Sequence, residues 1–253
     1  MIQNCDLLGG ELPNVLRSCK TLEDLEAQIS GHVNKRSDTK VDAELRKKVK
    51  AMAAHEGPVF AEAYGKISAY SKILASGSLS YQERPMQTFT AAWCATTPCK
   101  HGIVIAAPAE GKTFSMLHLA RYMIEEDNTG NTEVVIYSPV DAIASQTKEK
   151  LCMFDCSGKV TVTCRWDPEE WKMNRKNKVF LIDEGEEVIE RRLLDLKKEG
   201  FTGLLGLRDF KVVLFTATLT DYYRKCWRRA FQASHDAVRT FPTQHQVKAD
   251  VEY

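Results

Sequence analysis

The segment AAPAEGKT, residues 106–113, has the residue types of a loop that binds phosphate. It follows the apolar run GIVI and precedes apolar residues at helical spacing, so the order strand, loop and helix is predicted. In such a Walker A loop, backbone N–H groups and a helix N-terminus surround the phosphates. A lysine contacts the β and γ oxygens, and a threonine ligates Mg²⁺. The candidate site residues are Ala106, Ala107, Pro108, Ala109, Glu110, Gly111, Lys112 and Thr113.

A chance strand-to-helix turn that contains Gly-Lys-Thr is the alternative interpretation of this loop. Ala106 stands where the general motif has its first glycine, and Glu110 places an anion close to the phosphates. The alternative loses weight if a second motif of a nucleotide site follows at a suitable distance.

Two adjacent acids, Asp183 and Glu184, follow the apolar run VFLI. This is the Walker B arrangement, in which the first acid holds Mg²⁺, usually through water, and the second orients and deprotonates the attacking water. Acidic residues at a helix start also serve as caps. Because the pair lies some 70 residues after the phosphate loop, the metal interpretation is favoured. Glu184 and Lys112 are therefore the candidate catalytic residues, and Thr113 and Asp183 the candidate metal ligands.

The elements that must position these residues alternate from Gly102 onward. Apolar runs on consecutive positions are typical of strands buried on both faces of a parallel sheet. The sequence therefore predicts an α/β fold with a mainly parallel sheet, in which ligands bind beyond the carboxyl ends of the strands. The predicted strands are GIVIAAP, EVVIYSP, KVTVTCRW, KVFLIDE, KVVLFTA and AVRTFP, and the predicted helices are 114–124, 141–151, 187–196 and 219–231.

The first 80 residues have a different pattern, with helical signals and no convincing strand. Thr21 and Asp24 form a possible capping box, and further helices are predicted at 42–54 and 59–74. We therefore expect a helical N-terminal arm, 1–80, followed by an α/β domain, 81–253.

The composition, 43% hydrophobic and 27% charged over 253 residues, is that of a globular protein and excludes disordered, collagen-like and disulfide-scaffold chains. Thirty-five basic and 34 acidic residues give a net charge of +1, so any nucleic-acid contact must come from a local patch. No signal sequence and no apolar run of membrane-spanning length is found, and we expect an intracellular protein, cytoplasmic or nuclear, with no membrane contact. Its eight cysteines lack zinc-site spacing and are expected to be reduced thiols.

Two basic clusters have separate interpretations. The cluster before the fourth predicted strand is expected to be a solvated turn at the amino edge of the sheet. The cluster on the helix after the fifth strand has several members on one face, which either meets RNA or a partner domain or is simply exposed. The first comprises Lys172, Arg175, Lys176 and Lys178, and the second Arg224, Lys225, Arg228 and Arg229.

In this order the motifs resemble the first RecA-like domain of a superfamily 2 helicase or translocase, the group that includes the DEAD-box and DExH proteins. The resemblance covers roughly residues 81–245. Arg84-Pro85-Met86-Gln87 is similar to the element whose glutamine reads adenine in that group. The phosphate loop corresponds to motif I, although Ala109 stands where many relatives have a glycine. PVDAIASQ (139–146), DEGE (183–186) and Thr216-Ala217-Thr218 follow motifs Ia, II and III.

The resemblance implies a RecA-like P-loop fold that binds ATP and Mg²⁺ and acts on RNA or DNA, with a single-stranded track. Arg84 and Gln87 would then contact the nucleotide, and Thr216 and Thr218 would couple its state to a neighbouring domain, although two threonines after a strand also serve as helix caps. Pro139, Ser145 and Gln146 are the nucleic-acid candidates, while Asp141 occupies a place where arginine is common. The group needs a second RecA-like domain, for which this length leaves no room, so we expect a half-domain that is weak or incomplete alone and is completed by that domain or by a partner protein.

A different class of function stays open. The chain could be a non-catalytic, helicase-like interaction module that binds a partner through its helical arm, as the residues Ala109, Glu110 and Asp141 suggest. An unrelated P-loop kinase or GTPase is less favoured, because the glutamine-containing element at 84–87 and Thr216-Ala217-Thr218 would then be coincidences and no guanine-reading N-K-x-D is found.

Overall fold

The computed structural model describes residues 39–77, 81, 84–107, 110–167, 177–189, 207–232 and 237–241. Six parallel strands form one sheet in the order β3-β2-β4-β5-β1-β6. The predicted α/β fold with a mainly parallel sheet is therefore confirmed. The strands are β1 (His101–Ile105), β2 (Glu133–Tyr137), β3 (Val160–Thr163), β4 (Lys178–Ile182), β5 (Lys211–Thr216) and β6 (Val238–Thr240).

Helices connect the strands and precede them. They are α1 (Thr39–His55), α2 (Pro58–Gly77), α3 (Pro85–Thr96), α4 (Lys112–Glu125), α5 (Asp141–Leu151) and α6 (Asp221–Phe231), with a 3₁₀-helix at Ser157–Lys159. Residues 185–189 are also helical, at the start of the helix predicted for 187–196, whose remainder lies outside the described residues.

The strands are buried because their side chains are apolar on both faces. All five residues of β4, KVFLI, are buried, and so are the first four of β1. One face of the sheet packs on α2, α3, α4 and α5, with Phe60, Phe89 and Leu117 in its core. The other face packs on α6 through Trp227 and Phe231. This two-sided cover is what the continuous apolar runs predict.

The helix α3 was not predicted, although it starts at a favourable position, with a proline in its first turn. Every residue from Met86 to Cys94 is buried, polar ones included. A helix that is covered on all sides has no polar face, so the usual alternation of apolar and polar residues is missing from its sequence.

The described part of the N-terminal arm shares its core with the sheet. Phe60, Ala63 and Ile67 of α2 lie in the same hydrophobic cluster as residues of β1 and β4. At the surface, Lys66 Nζ lies 2.8 Å from Glu126 Oε2, at the end of α4. The observed α1 and α2 agree with the helices predicted for 42–54 and 59–74, while the capping box at 21–24 lies outside the described residues.

Three smaller predictions concern the surface and the thiols. The prediction for Lys178 was wrong: it is the first residue of β4, it is buried, and its Nζ lies 3.7 Å from Glu133 Oε2. A lysine stem can cover apolar surface while its ammonium group finds a carboxylate. The rest of that cluster, 172–176, lies outside the described residues. The six described cysteines are free thiols, and no helix in the described ranges is long and apolar enough to cross a membrane.

Candidate nucleotide site

The phosphate loop lies between the carboxyl end of β1 and the start of α4. Gly111 directly precedes α4 and has φ of 85°, in the left-handed region that favours glycine. The N–H of Ala106 donates to the carbonyl of Thr216 over 3.0 Å, which fixes the start of the loop to the end of β5. Pro108 and Ala109 lie outside the described residues. The predicted strand, loop and helix are thus in place, with the helix N-terminus following the glycine.

The side chain of Lys112 is directed to the loop itself. Its Nζ donates to the carbonyl oxygens of Ala106, at 3.2 Å, and Ala107, at 3.4 Å. Beneath the loop lies a cavity of about 10 Å³, which suffices for roughly one water molecule. Thr90, Lys112 and Ser115 provide polar groups to its wall. The lysine therefore satisfies two carbonyl groups at the point where a phosphate would bring competing oxygens.

The acidic pair follows β4. Asp183 is only 5% exposed, and its N–H donates to the carbonyl of Tyr137 over 2.9 Å. Burial, and to a smaller extent the charge of Glu184, raise the pKa of Asp183 to about 6, although the Glu184 N–H and the charge of Lys112 act in the opposite direction. The loop after β1 and the acid after β4 lie at the same carboxyl edge of the sheet, as predicted, because β1, β5 and β4 pair in parallel.

Glu184 has an unusual backbone conformation. Its φ is 50°, which few residues other than glycine adopt, and its N–H donates to Asp183 Oδ1 over 3.1 Å. Residues in such conformations are concentrated at functional sites, where the surrounding structure holds them. The turn after β4 thus gives the two acids different environments: Asp183 is buried, and Glu184 is half-buried.

The donor set can be tested for Mg²⁺. No group of three or more His, Cys, Asp or Glu side chains that could hold a metal ion is found in the described ranges. Mg²⁺ is typically bound through one or two carboxylates together with phosphate oxygens and water. Asp183 and the hydroxyl of Thr113, in the first turn of α4, fit that mode and would need the phosphates to complete the coordination.

The threonines after β5 contact the acidic segment. Thr216 Oγ1 donates to the carbonyl of Thr218 over 2.6 Å, and Thr218 Oγ1 donates to Glu186 Oε2 over 2.5 Å. The structure therefore brings together the candidate coupling residues and the segment 183–186, through Glu186 rather than through the acidic pair.

Gln87 lies inside the protein, on the first turn of α3. It is 2% exposed, and its Oε1 accepts a hydrogen bond from the Tyr81 hydroxyl over 3.4 Å. The same hydroxyl lies 2.8 Å from His118 Nε2 and 2.5 Å from Ser71 Oγ. Arg84 precedes α3 as its N-cap residue and is half-buried. Gln87 is thus close to the phosphate loop, because a Cβ on Gly111 would overlap its side chain.

Sequence reasoning missed Tyr81, His118 and Ser71, which form this buried network with Gln87. The available signal was His118, a polar residue at an apolar position of α4 between Leu117 and Leu119. Its partners are not at any regular spacing from it, so the network itself has no sequence signature.

The nucleic-acid candidates lie after β2. Pro139 is half-buried in the loop, and Ser145 and Gln146 are exposed on α5, whose buried side carries Ala144, Thr147 and Leu151. Gln146 Oε1 accepts a hydrogen bond from Lys150 Nζ over 3.3 Å. The helix α5 starts at the carboxyl edge of the sheet, the edge that also carries the phosphate loop and the acids.

Two comparisons with known proteins were negative. No protein-family model matches the chain, and no curated protein is significantly similar to it. The site's own residues are therefore the basis for a functional proposal.

Proposed function

We propose that this chain is the ATP-binding half of a superfamily 2 nucleic-acid helicase or translocase, which hydrolyses ATP with Mg²⁺ when a second RecA-like domain completes the site. One observation carries the proposal: the phosphate loop with Lys112 and the buried acid Asp183 lie at the carboxyl edge of one parallel sheet. The strand order is compatible with a RecA-like fold.

The topology supports this combination of motifs. The strands β1 and β4 are separated in sequence by β2 and β3, yet in the sheet only β5 lies between them. Ligands of open α/β sheets bind at such carboxyl edges, where the loops of neighbouring strands converge. The phosphate loop and the acidic pair therefore lie at one edge, as a nucleotide site with bound Mg²⁺ requires.

The residues then have distinct roles. Lys112 exchanges the carbonyl oxygens of Ala106 and Ala107 for phosphate oxygens, and the N-terminus of α4 offers its free N–H groups to the same phosphates. Glu184 accepts a proton from the attacking water. When bound, Mg²⁺ neutralises charge on the β and γ oxygens, and Asp183 and Thr113 would hold it there.

The nucleic-acid part of the proposal concerns the start of α5. Pro139, Ser145 and Gln146 are accessible at the edge that carries the nucleotide site. Contacts to a phosphate and sugar backbone position a nucleic acid without reading its sequence, and exposed hydroxyl and amide groups suffice for them. The strand of RNA or DNA would run across this edge.

A specific observation favours the second candidate, a non-catalytic interaction module. Lys112 is bonded to carbonyl groups of its own loop, and Gln87 is buried. A domain that has lost nucleotide binding and keeps its fold for a partner would have these features.

Calorimetric titration of Mg²⁺-ATP into the purified chain separates the two candidates. We expect binding by the wild type, loss of binding by Lys112→Ala, and unchanged binding by Lys148→Ala, which removes an equal charge from the exposed side of α5. No heat in any of the three would favour the interaction module. In an assembly with the second domain, Glu184→Gln should bind ATP and fail to hydrolyse it, and unchanged turnover would contradict the proposal.

A further inference from the structure

The helix α6 concentrates positive charge far beyond the average of the chain. Its 11 residues contain four basic side chains and one acidic one, a net charge of +3. Because the whole chain has a net charge of +1, the other 242 residues together carry −2. We call the four basic side chains, Arg224, Lys225, Arg228 and Arg229, the α6 basic face.

This charge is largely uncompensated. The one acid of the helix, Asp221, lies 3.9 Å from Arg224 Nη1, and no ion pair is found for Lys225, Arg228 or Arg229 in the described part of the chain. The pairs Arg224 with Arg228 and Lys225 with Arg229 have i, i+4 spacing, at which like charges destabilise a helix. The helix dipole favours Arg228 and Arg229 in the last turn but not Arg224 and Lys225 nearer the N-terminus.

The half-buried side chains of Arg224 and Arg228 have donors that lack partners in the described part of the chain. The Nε atoms of Arg224 and Arg228 are both buried and have no hydrogen-bond acceptor among the described residues. Guanidinium N–H groups away from water are costly without an acceptor. An anion bound along the helix would offset the repulsion between these side chains.

The helix is held firmly enough to present a preorganised surface. Trp227 is fully buried and Phe231 is 5% exposed, with their ring centroids 4.2 Å apart against the sheet. Thr220 caps the N-terminus by accepting from the Tyr223 N–H. Tyr222, at the same end, is 67% exposed. Basic side chains beside an accessible aromatic ring are what a single strand needs, since phosphates meet the cations and a base stacks on the ring.

We propose that the α6 basic face, together with Tyr222, binds single-stranded nucleic acid. The helix is about 16 Å long, enough for a few successive phosphates. The surface is separate from the candidates at 139–146, because α5 packs on one face of the sheet and α6 on the other. The proposal does not depend on nucleotide binding by the phosphate loop.

The test is the salt dependence of binding to labelled oligo(U) and oligo(dT), measured by fluorescence anisotropy without nucleotide. For a single strand, the slope of log K against log salt decreases by about 0.7 for each phosphate that the protein no longer neutralises. The double variant Lys225→Gln/Arg229→Gln changes two exposed positions. It should therefore make the negative slope shallower by about 1.4 and weaken binding. The control Lys47→Gln/Lys50→Gln removes the same charge from exposed positions of α1 and should bind as the wild type.

Tyr222→Ala tests the stacking contact. It should weaken binding roughly tenfold with an unchanged salt slope, because it removes an aromatic ring and no charge. Binding of either oligonucleotide with these variant effects supports the proposal, and the one that binds more tightly identifies the preferred sugar.

Three outcomes would overturn the proposal. Equally weakened binding by the α6 and α1 variants would show that binding follows net charge alone. Weakened binding by Ser145→Ala/Gln146→Ala with full binding by the α6 variant would assign the strand to α5, as the proposed function does. No binding of either oligonucleotide would leave an acidic protein surface as the partner of α6. Mg²⁺-ATP binding by the α6 variant, measured in parallel, distinguishes these failures from a failure of the nucleotide site.

Discussion

Thr218 Oγ1 donates a hydrogen bond to Glu186 Oε2 over 2.5 Å, so the segment after β5 is joined to the acidic segment after β4. Thr216 Oγ1 in turn donates to the carbonyl of Thr218, which holds the acceptor and donor groups of this turn together. These two hydrogen bonds thus connect the end of β5 with the turn that carries Asp183 and Glu184. A displacement of either turn would therefore strain or break the hydrogen bond to the other.

The first prediction concerns this hydrogen bond. Thr218→Val removes the donor, Glu186→Ala removes the acceptor, and we expect their double-mutant cycle to give a coupling of about 0.5–1.5 kcal/mol in urea unfolding. Thr218→Ser keeps the hydroxyl and serves as the control, with a smaller loss of stability. Strictly additive effects of Thr218→Val and Glu186→Ala would show that the two side chains do not interact.

The second prediction uses the buried carboxyl group of Asp183. Its pKa of about 6 in the folded protein lies above the ordinary value of 3.8, because burial disfavours its charge. The folded state thus binds the proton more tightly, and stability is lost as the pH rises from about 4 through 6. Asp183→Asn should raise the free energy of unfolding at pH 7.5 by up to roughly 3 kcal/mol, with little effect at pH 4.

Urea unfolding at the two pH values measures this change, with Asp209→Asn, at an exposed position, as the control. The same Asp183 variant should lose Mg²⁺-dependent ATP binding. A gain of stability together with a loss of binding is typical of a residue kept for function rather than for the fold. A loss of stability at pH 7.5 would instead show that ionised Asp183 supports the fold.

The third prediction concerns His118, whose titration acts in the opposite direction. Burial lowers the pKa of His118 to about 4 from the ordinary 6.5, so its neutral form is favoured in the folded protein. Its contribution to stability is fully present above pH 6.5 and is lost as the pH falls towards 4, by up to roughly 3 kcal/mol. His118→Gln should remove this loss, so the free energy of unfolding of the variant should rise relative to that of the wild type as the pH falls from 6.5 to 4.

Tyr81→Phe separates the charge effect from the network. It removes the hydroxyl that joins Ser71, Gln87 and His118, and we expect a loss of about 1–3 kcal/mol at pH 7.5, because buried polar groups lose their partner. Tyr70→Phe, on the partly exposed side of α2, is the matched control and should cost less. Equal stabilities of the Tyr81 variant and the wild type would mean that water replaces the hydroxyl.

The sequence predicts the sheet and the two nucleotide motifs for a physical reason. Strands such as VFLI are buried on both faces and are followed directly by polar residues. The end of each apolar run therefore marks the carboxyl edge of the sheet, where the candidate site lies. The buried helix α3 has no polar face, and Lys178 is hidden by an ion pair with Glu133 from a neighbouring strand. Such features depend on contacts that bring distant residues together, and no local period encodes them.

The same reasoning explains the position of Gln87. The resemblance of residues 84–87 to the adenine-reading element implies a neighbour of the nucleotide, and the structure places Gln87 next to Gly111. Its burial depends on Tyr81 and on the helices α2 and α4, which the motif alone does not describe.

The last prediction follows from that contact. Gly111→Ala should destabilise the protein by at least about 1–2 kcal/mol, because the residue has φ of 85° and the added Cβ would meet Cδ of Gln87 at 2.9 Å. The double variant with Gln87→Ala should recover the part that is due to overlap, while the cost of the left-handed backbone remains. Gly65→Ala in α2 is the control, since it has open space around it and should stabilise the helix by about 0.5–1 kcal/mol. Thermal or urea unfolding of the wild type and these three variants measures the changes in stability. Full recovery in the double variant would mean that overlap alone, without backbone strain, requires the glycine.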